Sequence, residues 1–147
     1  MTNQVIGIGN PDRGDDGVGP AVVRLLRQRA PNHVRLMEAA TPMALPDDAQ
    51  HLWLIDAAQS GAPSGTIRRI DCATDAPVPR GSISSHGFGL AEAIALARTL
   101  GTLPPHCIVY AIEAAQFDAG APLSPAVAQA ARQVADAILA ELTPPPP

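Results

Sequence analysis

A chain of 147 residues, 46% of them hydrophobic, has the size of one domain and enough apolar mass to bury a core. Its net charge is −4, all ten basic residues are arginine and no basic cluster exceeds Arg68-Arg69, which excludes a nucleic-acid footprint; no apolar run reaches the roughly 18 residues of a membrane span. The separated cysteines, Cys72 and Cys107, make neither a disulfide framework nor a thiolate metal site, and the N-terminus enters a strand rather than a signal peptide, so the expected setting is reducing and cytoplasmic.

Residues 4–9 form a short continuous apolar run, which predicts a buried strand. A helix is expected over 17–30, with Val18, Val22, Leu25 and Leu26 on one face. Pro20 fits in its first turn and Pro31 stops it. Residues 33–38 give a second strand, and 41–50, with two prolines and two aspartates, a loop with room for one helical turn. Residues 51–56 are a third, buried strand that Asp56 terminates. Residues 60–65 are a turn cluster, and 66–72 a half-exposed edge strand in which Ile67 and Ile70 alternate with Arg68 and Arg69. After a loop over 75–85, a helix runs from His86 or Gly87 to Leu100, capped by Ser84 or Ser85 and ended by Gly101. Residues 106–112 are another buried strand. The last helix opens with Ser124 as N-cap and Pro125 at N1, and Val127, Ala131, Val134, Ile138 and Leu142 share its face. The domain spans 1–142, and 143–147 is a proline-rich tail expected to be disordered. This order predicts a single α/β domain: a twisted, mostly parallel sheet with an antiparallel edge strand and helices on both faces.

The most informative segment is 9–19, where the first strand meets the first helix. Open α/β sheets place their chemistry at such turns, and a helix N-terminus there often holds a phosphate on bare N–H groups. Here Asp12, Asp15 and Asp16 would repel a phosphate and attract a cation. A dinucleotide fingerprint also fails, because Asp12 stands where the third glycine after Gly7 and Gly9 is needed. The C-terminal ends of parallel strands share one edge, so Asp16 and Asp56 are expected on one rim, with His86 within reach of it. Two carboxylates and an imidazole suit a borderline divalent ion such as zinc or nickel, with coordination positions left open. Each residue also has a plainer reading: Asp16 as a helix cap or dipole partner, Asp56 as a turn former, His86 as a capping or surface residue. Neither cysteine reads as a nucleophile; Cys107 looks like a small core residue and Cys72 has no base beside it. No G-x-S-x-G elbow and no H-E-x-x-H is present.

Four blocks then occur in a familiar order. They are Gly7-Ile8-Gly9-Asn10-Pro11 with Arg13-Gly14-Asp15-Asp16-Gly17-Val18-Gly19; Leu54-Ile55-Asp56-Ala57 with Gly65-Thr66; Ser85-His86-Gly87-Phe88-Gly89-Leu90; and Tyr110-Ala111-Ile112-Glu113 with Leu123-Ser124-Pro125. Over residues 5–142 the chain resembles the NiFe-hydrogenase maturation endopeptidases. That resemblance implies an enzyme that removes a short C-terminal extension from the hydrogenase large-subunit precursor once nickel has been inserted. It implies Asp16, Asp56 and His86 as metal-contacting and catalytic residues, toward nickel supplied by the precursor. The metal's role stays open between recognition handle and Lewis acid. By family position Asp16 takes the ligand role, and Asp15 is left as the helix cap. The chain departs from the family after the second strand, where Glu38-Ala39-Ala40-Thr41-Pro42 keeps the acid but lacks the glycines. Glu38 is therefore expected to act in substrate recognition. A non-proteolytic nickel-binding or chaperone module for the large subunit is the alternative, and a monomer is the expected state.

Overall fold

Strand β1 (Asn3–Ile8) is buried along most of its length because both of its sheet faces are covered, which is what a continuous apolar run requires. The computed structural model describes residues 2–42, 45–74 and 89–142. A single 3-10 turn (Gly14–Gly17) follows β1 and leads into helix α1 (Val18–Arg27), then β2 (Val34–Ala39), β3 (His51–Ala58), β4 (Ile67–Asp71), α2 (Leu90–Leu100), β5 (His106–Glu113) and α3 (Pro125–Leu142). The five strands lie in the order β2-β1-β3-β5-β4. All neighbours are parallel except β4, which pairs antiparallel with β5 from Ile67↔Ile112 to Asp71↔Ile108.

Alternation along the strands sends side chains to two separate cores. Val5, Ile55 and Ile112 meet Val22, Val23 and Leu26 of α1 and Val127, Val134 and Ile138 of α3. On the other face Ile6, Ile8, Leu52, Leu54 and Val109 meet Leu90 and Ile94 of α2. The β2–β3 crossover carries no helix among its described residues, and among the described residues that face of β1 and β2 is covered by loop. A cavity of about 130 Å³ remains there, lined by Gln4, Ile6, Ile8, Met37, Leu45 and Leu54 among others. With few aromatics, the core depends on its aliphatic residues. Ile138 is 0% exposed at the centre of the α1–α3 side, so Ile138→Ala is expected to cost about 2–5 kcal/mol in a denaturant melt.

Several boundaries differ from the sequence expectation. The first helix begins at Val18 and ends at Arg27 rather than spanning 17–30, because residues 14–17 close as a 3-10 turn and the chain turns after Gln28. Strand β3 continues past Asp56 to Ala58, so Asp56 lies inside the strand rather than ending it. Helix α2 starts at Leu90 with extended Gly89 as its N-cap and no side-chain cap; Ser84, Ser85 and His86 lie outside the described residues. Gly101 ends that helix in the left-handed conformation, at φ 72°, as expected. Ser124 does precede the first residue of α3, but its hydroxyl points elsewhere, as described below. Cys72 and Cys107 are free and buried.

At the N-terminal ends of the strands His51 and His106 are register partners, and their rings stack at 4.4 Å between centroids. Burial, and then the charge of His106, push the His51 pKa below its ordinary 6.5. The folded state therefore resists protonation that the unfolded chain accepts. Stability is fully present above pH 6.5 and falls as the pH drops from there through the lowered folded value. The melting temperature should decline between about pH 7 and 5, and His51→Gln should flatten that decline.

Candidate active site

Chain direction reverses across the sheet at β1. It goes out through α1 to β2 on one side and returns to β3 on the other, so the crevice outside the C-terminal ends of β1 and β3 is a topological switch point, where open α/β sheets bind ligands. Two glycines let the chain close over this crevice. A Cβ on Gly19 would lie 2.6 Å from Ile8 N, Ile8 O and Ile55 O, so the first turn of α1 is wedged between the two strand ends. Gly9, at φ 139°, would place a Cβ 1.9 Å from the Asp16 carbonyl oxygen, so only glycine lets the turn fold back over β1.

That return places Asp16 over the end of β1. Its Oδ2 accepts the Asn10 N–H at 2.9 Å and lies 3.9 Å from Arg13 Nη1. Arg13 is half-exposed, with its guanidinium 5.8 Å from the centre of the Phe117 ring. Asp56 comes from the neighbouring strand. Alternation puts it on the same face as Leu52 and Leu54, the face covered by α2, and its Oδ1 accepts the Ala57 N–H at 2.8 Å. The residues are 1% and 0% exposed, two buried carboxylates near the C-terminal ends of neighbouring parallel strands. Burial of this kind is costly for a carboxylate unless hydrogen bonds, a cation or a proton compensate it. His86, the third expected site residue, lies outside the described residues, in the segment that precedes α2. Among the described residues no group of three His, Cys, Asp or Glu side chains is placed to hold a metal ion.

Glu38 is not brought into the crevice. It lies opposite Gly7 in the β1–β2 register and is bonded to α1, to Arg24 at 3.0 Å and to Arg27. Burial opposes its ionisation, but the two arginines outweigh that and hold its carboxyl below the usual value.

Asp15 is not the helix cap expected from its place in the sequence. Neither the 3-10 turn nor α1 has a side-chain cap, and Asp15, 0% exposed, points away from both. It accepts the N–H groups of Ala115, Gln116 and Ser124 at 2.9, 3.0 and 2.7 Å and the Ser124 hydroxyl at 2.7 Å. Glu113, 4% exposed, likewise ties the end of β5 to the segment just beyond β3, accepting from Ser60 N, Ser60 Oγ and Gly61 N. Sequence reasoning missed both roles, although Glu113 at the end of an otherwise apolar strand was a signal for one of them. Their donors lie far away in the chain, where no local pattern points to them.

The family model described as hydrogenase maturation protease matches residues 20–141, a span that includes Asp56 and begins just after Asp16. The hydrogenase expression/formation protein HupD of Thiocapsa roseopersicina is 32% identical over 124 residues, covering 78% of this chain and 55% of that protein. HupM of Azotobacter chroococcum mcd 1 is also 32% identical over 124 residues, covering 78% of this chain and 58% of that protein. The chain thus spans little more than half the length of these curated relatives. Among solved structures, the hydrogenase maturating endopeptidase HybD from E. coli matches with a TM-score of 0.80 at 27% identity, covering 97% of this chain and 92% of that one. The hydrogenase maturation protease HycI of Thermococcus kodakarensis shares the fold, with a TM-score of 0.73 at 19% identity over 96% of this chain and 92% of that one.

Proposed function

The chain belongs to the hydrogenase maturation protease family, and from that premise we propose that it is an endopeptidase that removes the C-terminal extension of a nickel-loaded NiFe-hydrogenase large-subunit precursor. The observation that carries this reading is the pair of buried carboxylates, Asp16 and Asp56, at the switch-point crevice.

The nickel belongs to the substrate. Asp16 and Asp56, with His86, would offer oxygen and nitrogen ligands to a precursor's open coordination positions, which suits a borderline cation. Docking in this way would bring the scissile peptide bond to the crevice. Hydrolysis then requires a water to add to the carbonyl carbon and a proton to reach the leaving amine. A carboxylate in the crevice would orient that water and accept its proton. Glu38, tied to Arg24 and Arg27 near the same sheet edge, would meet the precursor as part of a charged cluster. No described helix is long and apolar enough to cross a membrane.

The experiment is incubation with nickel-loaded and nickel-free precursor, read by electrophoretic mobility and by the mass of any released peptide. Release of a C-terminal peptide from the nickel-loaded form alone is the expected result. Binding without cleavage would make the protein a nickel-binding or chaperone module instead. Metal analysis of the purified protein should find little nickel. Stoichiometric, tightly held nickel or zinc would contradict a handle carried by the substrate.

A further inference from the structure

We propose that Asp15 is a positioning residue for Asp16, through which the β5–α3 connection (residues 114–124) sets the geometry of the crevice. This rests on the endopeptidase reading for its functional consequence, but not for its structural content.

Asp15 and Asp16 are adjacent within one four-residue turn, so fixing one restricts the other. The β5–α3 connection anchors the Asp15 side chain with three N–H groups and one hydroxyl, two of these donors coming from its last residue, Ser124. The backbone adds another, with Asp15 N–H donating to Gln116 O at 2.7 Å. A buried carboxylate receiving several donors is a rigid junction, because moving it strands charge and N–H groups together. A second route reaches Asp16 from the same connection. Phe117 supports the Arg13 guanidinium, whose Nη1 lies 3.9 Å from Asp16 Oδ2. Gly14 allows the close approach, since a Cβ there would fall 2.7 Å from Gln116 O.

Two variants break this junction differently. Asp15→Asn replaces an acceptor oxygen by an NH₂ group that faces donors. Gly14→Ala keeps the Asp15 carboxylate but forces the turn away from Gln116. Glu141→Gln is the control for general destabilisation. Glu141 bonds Arg69, Tyr110 and Trp53 near the far end of α3, about 25 Å along the helix from Ser124. The direct readout is the Asn10 amide proton in an NMR spectrum, because that N–H donates to Asp16 Oδ2. Asp15→Asn and Gly14→Ala should move this resonance toward its unbonded position and lower precursor processing about 100-fold, the scale of a 1 Å misplacement. Glu141→Gln should do neither at a temperature where all variants are folded. If Asp15→Asn fails to fold, Ser124→Ala removes one of the four side-chain bonds and should shift the same resonance. An unchanged Asn10 amide in a folded variant, or an equal processing loss in Glu141→Gln, overturns the proposal. If the wild-type protein leaves the precursor uncut, the endopeptidase reading fails, while the Asn10 amide still decides the role of Asp15.

Discussion

Asp56→Asn is expected to leave the protein folded and to lower peptide release from nickel-loaded precursor by at least about 10²-fold, the usual scale for losing a catalytic acid–base group. The substitution is nearly isosteric, and the amide oxygen can still accept the Ala57 N–H that Oδ1 accepts now. What disappears is the charge, in a place where water cannot replace it, since Asp56 is 0% exposed. The shape of the side chain and its acceptor oxygen are kept, so the fold should persist while activity collapses. Asp16→Asn should behave alike, with its amide oxygen keeping the Asn10 N–H. The check is a single-turnover cleavage assay paired with a thermal melt. Near-normal cleavage by either variant would remove that residue from the chemistry.

Gly19→Ala should destabilise the fold strongly. Its Cβ would lie 2.6 Å from three backbone atoms belonging to two central strands, and none of them can rotate away. Relief requires α1 to lift from the sheet, which opens the core around Val22, Val23 and Leu26. Overpacking of this kind costs typically 1–3 kcal/mol, and rigid backbone neighbours put this site at about 3 kcal/mol or more. That corresponds to a fall in melting temperature on the order of 10 °C. Gly101→Ala is the useful comparison. Nothing lies within 4 Å of its added Cβ, so only the strain of φ +72° remains, a cost of about 1–2 kcal/mol. Equal melting temperatures for the two variants would contradict the wedge geometry.

The architecture was legible because its elements announce themselves locally. Continuous apolar runs gave β1, β3 and β5, the Arg68-Arg69 alternation gave the edge strand β4, and the spacing of Val127, Ala131, Val134 and Ile138 gave α3. Asp16 and Asp56 were expected on one rim by a different route: the first follows β1 and the second lies near the C-terminal end of β3, and these neighbouring parallel strands share one edge. The partners of acidic side chains were not legible. A helix-start position offers an aspartate nearby N–H groups, and the cap assigned to Asp15 followed from that local choice. The folded chain gives it donors about 100 residues away, at Ala115, Gln116 and Ser124. Ser124 illustrates the same competition, since its carbonyl accepts from Ala128 at 2.8 Å as helix geometry demands, while its hydroxyl serves Asp15. Glu38 was expected to face a substrate, and its arginine partners come from α1, a register that no sequence spacing reveals.

Loops joining a strand to a helix are usually where a chain accepts extra residues during evolution. The segment after β5 is a loop by its backbone, yet Asp15 holds its first half and its last residue together, and Glu113 anchors the strand end from which it departs. Its two ends are therefore fixed relative to one another. Growth of the chain would be borne at exposed corners such as Gly101, and between the anchored ends of this connection at Gly120, where an added side chain meets only open space.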